Sequence, residues 1–210
     1  MSTVQKFLII ILLLFMSTTI QSQQITIDSK MTLVEALAGT PAPKTVANKM
    51  KLVDVTYCGY DGKLHGGQIL INKNVAEEIK EIFAELLKMK FPIEKVIPIT
   101  AYSWDDEASM SDNNTSSFNY RKVTGKNTLS KHALGYAIDI NPRDNYYLKD
   151  GHISPANGRY NKKNKGTILK NSAVVKLFAK HGWNWGGDWK TLKDYQHFEK
   201  STDYIDAKEK

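Results

Sequence analysis

The sequence predicts an α+β fold in which helices flank one small, mainly antiparallel sheet, and three patterns predict it. Apolar runs at residues 53–57 and 67–71 flank the turn-rich GYDGKLHGG and read as the arms of a hairpin. Two segments, one starting at Asn74 and one covering residues 172–181, carry apolar residues at helical spacing. Tyr136, Ile138 and Ile140 alternate with Ala137 and Asp139, the period of a short strand entered through a turn at Gly135.

Taken in order, the 210-residue chain opens with a segment outside the fold. Lys6 precedes ten apolar residues, 7–16, and the polar stretch STTIQSQQ, the pattern of a secretory signal peptide over residues 1–22. The apolar run is short for a membrane span; the alternative is an uncleaved N-terminal anchor, the one case in which a membrane would be a partner. Either way the rest is expected to be exported, as a periplasmic or secreted protein. Residues 23–210 leave about 185 residues, enough for a single domain with its core at about 52–199. Cys58 is the only cysteine, so no internal disulfide forms and stability must come from packing, a bound ion, or both. The formal charge of +7 suits an anionic polymer such as cell wall, or simple solubility. Nucleic acid is not the expected partner, and a monomer is expected.

Residues 32–39 (TLVEALAG) read as a short helix with Thr32 and Glu35 in capping-box spacing and Gly39 as its stop. Pro41 and Pro43 make a stiff connector to the hairpin. Asn74, with Glu77 three residues on, is expected to start a helix whose stripe is Val75, Ile79, Ile82, Phe83, Leu86 and Leu87, ending near Pro92. Residues 95–100 (KVIPIT) are strand-like, with Pro98 favouring an edge. Residues 103–128 read as a long irregular polar loop. The 136–140 strand follows, then a lysine-rich excursion over 142–170, then a helix at 172–181 stopped by Gly182.

The strand at 136–140 turns Asp139 away from its isoleucine face. A carboxylate there faces solvent, caps something or binds something. Five histidines are present, and two stand in ligand-like contexts: His132, seven before Asp139, and His197, in DYQHFE. A zinc hydrolase needs about three protein ligands and one open position for water, and His132, Asp139 and His197 meet that need. Proton transfer needs a base, for which Asp194 is the candidate. In a straight strand Asp194 and His197 would face opposite ways, so a turn between them is required, followed by a strand that holds His197. Arg121, upstream of His132, is the candidate cation for the oxyanion.

SKHALGYAID resembles the Ser-x-His-x-x-Gly-x-Ala-x-Asp motif of VanY-type zinc D-alanyl-D-alanine carboxypeptidases. DYQHFE resembles the second metal motif of that family's endopeptidase relatives, and SMSDNNTSSFNYR its segment ending in Phe-Asn-x-Arg. The resemblance runs over about residues 52–199. It implies one zinc ion on His132, Asp139 and His197, Asp194 as base, Arg121 as carbonyl clamp, and Ser130 as a substrate contact or a support behind the ligands. It also implies the Hedgehog-type D-Ala-D-Ala peptidase fold and a peptidoglycan or muropeptide substrate. One departure bears on the bond cut: the carboxypeptidases carry Glu-x-x-His, whereas Asp194-Tyr-Gln-His197 is the form of the L-alanyl-D-glutamate endopeptidases. A competing class is a zinc-containing cell-wall binding protein without turnover.

The other candidates have plainer readings. Trp183, Trp185 and Trp189 are expected in core and cleft wall, Lys131 as a solvated neighbour, and His65 as structural or exposed. His181 ends a helix, where a cation suits the dipole. Cys58 reads as a small buried apolar side chain. Asn113 and Asn114 match glycosylation sequons, read as loop amides in a bacterial protein.

Overall fold

The computed structural model describes residues 24–209, so the signal segment of residues 1–22 lies outside the described residues. Strand β1 (Thr26–Ile27) leads to α1 (Leu33–Ala36), where Glu35 N donates to Thr32 Oγ1 (3.3 Å) and Thr32 N donates to Glu35 Oε2 (2.7 Å). That reciprocal pair is the capping box read from the sequence. The expected stiff connector instead starts α2 (Lys44–Ala47), because extended Pro43 sits at its N-cap, where a missing N–H costs nothing. Strands β2 (Met50–Cys58) and β3 (Leu64–Asn72) form the hairpin, antiparallel from Met50 opposite Asn72 to Cys58 opposite Leu64. They outrun the five-residue arms expected, since ladder pairing continues through the polar ends. β1 adds to β3 in parallel, an addition its two-residue pattern did not announce.

Val53, Val55, Tyr57, Ile69 and Ile71 face α3 (Ala76–Lys88), which buries Ile79, Ile82, Phe83 and Leu86. Each such side chain contributes roughly 1.5–3 kcal/mol on burial. The start of this helix differs from expectation. Asn72 caps a 3-10 turn at Lys73–Val75 that leads into it, Asn74 N donating to Asn72 Oδ1 (3.0 Å), and α3 itself begins after Val75 with no side-chain cap. Asn74 Nδ2 is drawn to Tyr136 Oη (2.8 Å), and Glu77 receives Lys51 and Lys80. Tertiary partners thus outbid the local capping box.

The KVIPIT strand stops after β4 (Lys95–Val96), and Pro98 begins a 3-10 turn at Ile99–Tyr102. The expected loop at 103–128 is more structured than its composition suggests. It contains α4 (Asp106–Ser111), capped by Asp105, and β5 (Asn114–Thr115), parallel to β4. Asn114 is a buried latch, accepting from Ile97 N (2.9 Å) and donating to Ile97 O (2.9 Å). A 3-10 turn at Lys131–Leu134 precedes β6 (Ala137–Asp139), three residues where five were expected.

The lysine-rich excursion carries a hairpin, β7 (Tyr147–Lys149) and β8 (His152–Ser154). Then follow α5 (Ala173–Lys180), capped by Ser172, β9 (Trp183–Trp185), β10 (Lys193–Asp194), β11 (His197–Lys200) and α6 (Thr202–Glu209). The class is α+β, but the single small sheet is corrected to several. The hairpin sheet has order β1-β3-β2, the antiparallel site sheet β6-β11-β9, and a third sheet β10-β7-β8; β4 and β5 make a ribbon. Among the described residues, no helix is long and apolar enough to cross a membrane.

Candidate metal centre

Asp139 closes β6 and His197 opens β11, and antiparallel register sets them directly opposite. Directly opposed residues project from the same face, which joins two side chains 58 positions apart. His132 reaches the same place by a local reversal. Ser130 Oγ accepts from His132 N (3.2 Å) to start the 3-10 turn, and Gly135 ends it at φ +69°. A Cβ at Gly135 would lie 2.6 Å from Asn72 N, so this turn needs glycine for space as well as for its dihedral.

The three side chains converge in the interior, at 3%, 5% and 6% exposure for His132, Asp139 and His197. One ligand atom from each lies within 4.8 Å of the others. His132 Nε2 is 3.1 Å from His197 Nδ1 and 3.2 Å from Asp139 Oδ2; His197 Nδ1 is 2.9 Å from Asp139 Oδ1. The outer nitrogens are occupied elsewhere. His132 Nδ1 meets the Ser117 carbonyl (2.6 Å), and His197 Nε2 meets Glu199 Oε2 (3.1 Å).

Donation from those outer nitrogens leaves both inward nitrogens with lone pairs aimed at a carboxylate. Such a set repels itself until a cation joins it. Two imidazoles, one carboxylate and anchored outer nitrogens therefore fit a divalent ion such as zinc with one position left for water. A proton answers the same electrostatic need. Burial opposes charge on His197, but hydrogen bonds with Asp139 and Glu199 outweigh it and push its pKa up to about 10. Burial likewise disfavours ionised Asp139, yet His132 and His197 hold its pKa well below the usual carboxylate range.

Asp194 lies in β10, then the chain turns before β11, as a shared site for Asp194 and His197 required. Asp194 Oδ1 is buried with no hydrogen-bond partner among the described residues. Burial first, and the nearby Asp139 charge, push its carboxyl up to about 6, against the opposing pull of His197. Gly186 allows this approach: a Cβ there would stand 2.6 Å from Asp194 O and 3.3 Å from His197 Cβ. Trp189 flanks the site, its ring 5.3 Å from that of His197, while Trp183 and Trp185 are core.

Arg121 is tied differently. Its backbone carbonyl accepts from Ser130 N (3.0 Å), but its guanidinium pairs with Asp106 (2.9 Å), and its buried Nε has no partner among the described residues. Ser130 supports the His132 turn from behind. Sequence reasoning missed Glu199, Lys131 and the Ser117 carbonyl. Lys131, read as a solvated neighbour, donates to Glu199 Oε1 (2.9 Å) and Lys200 O (2.8 Å), holding the carboxylate behind His197. The i, i+2 spacing of His197 and Glu199 on a strand was the available signal. His65 is structural, between Asp28 (2.9 Å) and Asp61 (3.2 Å).

The family model described as D-alanyl-D-alanine carboxypeptidase matches residues 124–200. No curated protein and no solved structure matches the chain. The matched stretch holds His132, Asp139, Asp194 and His197, and it supports the resemblance that the motifs carry: over this segment the chain is similar to the D-alanyl-D-alanine carboxypeptidases, a family of peptidases.

Proposed function

We propose that this protein is an exported, zinc-dependent peptidase of peptidoglycan stem peptides, acting most directly as a D-alanyl-D-alanine carboxypeptidase. The observation that carries the reading is the buried trio of His132, Asp139 and His197, its outer nitrogens anchored, beside a buried Asp194 oxygen without a partner. Export rests on the pattern of residues 1–22.

His132 Nε2, an Asp139 oxygen and His197 Nδ1 would hold the ion. When bound, zinc supplies Lewis acidity at the scissile carbonyl and lowers the pKa of water. Asp194 Oδ1 takes a proton from the water that adds to the carbonyl carbon. As the C–N bond breaks, Asp194 returns that proton to the leaving nitrogen. Its raised pKa suits both tasks near neutral pH. Arg121 shares the negative charge on the carbonyl oxygen, for which its Nε–H, without a partner among the described residues, is a donor. Ser130 keeps the His132 turn in place.

Asp194 in place of glutamate favours a second reading, cleavage inside the stem at L-Ala–D-Glu. Mass spectrometry of muropeptides incubated with zinc-loaded protein separates the two, beside chelated and Asp194→Ala controls. Metal-dependent loss of one terminal D-alanine supports the carboxypeptidase; a cut at L-Ala–D-Glu moves the assignment to the endopeptidase. Stoichiometric zinc with no cleavage would sink both and favour a binding role.

A further inference from the structure

An open pocket at the surface is lined by residues other than the three ligands. It measures about 290 Å³ and is lined by Tyr60, Arg143, Asp144, Arg159, Asn161 and Asn164. Its polar groups are almost all donors, for reasons the hydrogen bonds make explicit. Asn161 Oδ1 accepts from Lys163 N (3.0 Å) and Asn164 Oδ1 accepts from Gly166 N (3.1 Å). A backbone N–H can only donate, so each bond fixes its amide with the oxygen turned to the loop; separately, neither Nδ2 group has an acceptor among the described residues.

The cavity's one carboxylate is already engaged. Asp144 is 6% exposed and accepts from Tyr60 Oη and from Asn113 Nδ2 (3.3 Å). The wall is built to allow this, since a Cβ on Gly166 would overlap the Tyr60 hydroxyl. Arg159 N donates to Arg143 O (2.6 Å), which brings two arginines to one rim. Arg143 has a loose partner in Glu94 (3.6 Å), and Arg159 has no carboxylate partner among the described residues. Two cations and two free amide donors in one cavity call for an anion with several acceptor atoms.

We propose that this cavity is a carboxylate-binding subsite for an acidic peptide substrate, with Arg159 and Arg143 as its charge partners and the Asn161 and Asn164 amides completing the donor set. The identity of the substrate rests on the peptidase reading; the anion preference does not. Position supports the link. Arg143 follows Asp139 by four residues, so their Cα atoms are within about 14 Å of each other. An extended peptide advances about 3.4 Å per residue, so a carboxylate three or four residues from the scissile bond can reach the cavity.

The test compares a stem peptide bearing free non-terminal carboxylates with the same peptide carrying those carboxylates as amides. Zinc-loaded wild type is expected to favour the acidic peptide roughly tenfold in kcat/KM, mostly through KM. In Arg159→Gln that ratio falls towards one. Asn164→Asp keeps the acceptor for Gly166 N but replaces the donor with a repelling anion, and the preference inverts. Equal kcat/KM for both peptides in all three proteins would overturn the subsite. Calorimetric titration of the acidic peptide separates this failure from that of the peptidase reading. Binding that weakens in Arg159→Gln without any cleavage keeps the subsite and removes the peptidase; unaltered binding without cleavage removes both. Free glutamate competing as well as the peptide would assign the cavity to a small carboxylate and overturn its role in substrate recognition.

Discussion

Strand β11 carries two buried ionisable side chains three residues apart, on opposite faces, in opposite conditions. Lys200, 2% exposed, donates to Glu78 Oε2 (2.6 Å) and to His181 O (2.6 Å). Its ammonium also stands 4.4 Å from the Tyr204 ring centre and 5.2 Å from that of Trp183. Every charge there has its complement within the chain. His197, 6% exposed, faces another imidazole and a carboxylate, and the neighbouring Asp194 Oδ1 has no partner among the described residues. The same strand thus shows a buried cation fully partnered by the chain and a buried imidazole in a group that fits a metal ion. What separates them is completeness: the first set is closed by protein atoms, and the second leaves a gap among its ligand atoms that fits a cation.

That contrast is broken most severely at the ligands. Asp139→Ala or His132→Ala is expected to remove stoichiometric zinc and lower hydrolysis by at least roughly 10⁴-fold, as chelation of wild type does, with metal analysis and muropeptide assay as the readouts. Retained zinc with retained turnover would disprove the assignment. Asp194→Ala is next. Metal content stays near wild type while kcat falls about 10²- to 10⁴-fold; loss of zinc as well would make Asp194 a ligand instead of a base.

Glu199→Gln weakens zinc affinity by roughly 10- to 100-fold, because the carboxylate that serves both His197 and Lys131 becomes a neutral amide with a single acceptor oxygen. The same imidazole sets a pH signature. Its pKa is raised from 6.5 to about 10 in the metal-free protein, so the proton's stabilising effect is complete below 6.5 and lost as pH rises through 10. Zinc must displace that proton between those limits. Calorimetry at pH 7.5 in buffers of different ionisation enthalpy should report about one proton released per zinc, with affinity rising about tenfold per pH unit. PH-independent affinity would contradict it.

The smallest effect on function is expected at the closed set. Lys200→Met leaves Glu78 short of its partner and costs about 3 kcal/mol by chemical denaturation, with zinc binding intact; Lys200→Met with Glu78→Met recovers much of it. A loss of zinc in the single variant would show that the two ends of β11 are coupled.

Much of the site was legible because it rests on side-chain chemistry at short spacing. The turn at Gly135 and the alternation that turns Asp139 from Ile138 are local backbone matters that residue types announce, and the break between Asp194 and His197 was a demand of the proposed site. The loop at 103–128 was not legible: α4 and β5 are too short to show a period, and they persist through Asn114 and Ile97, partners far apart in sequence. Asn74 failed as a cap for the same reason, because Tyr136 offered its side chain a buried partner.

By itself the sequence determined the α+β class, the hairpin, the amphipathic helices and the identities of the candidate ligands, since periodicity and residue chemistry act over a few positions. Only the tertiary structure decided that Asp139 and His197 oppose each other, that Ser117 and Glu199 hold the outer nitrogens, and that Arg121 pairs with Asp106. Those depend on strand register and burial, which join residues tens of positions apart through the packing of the whole chain.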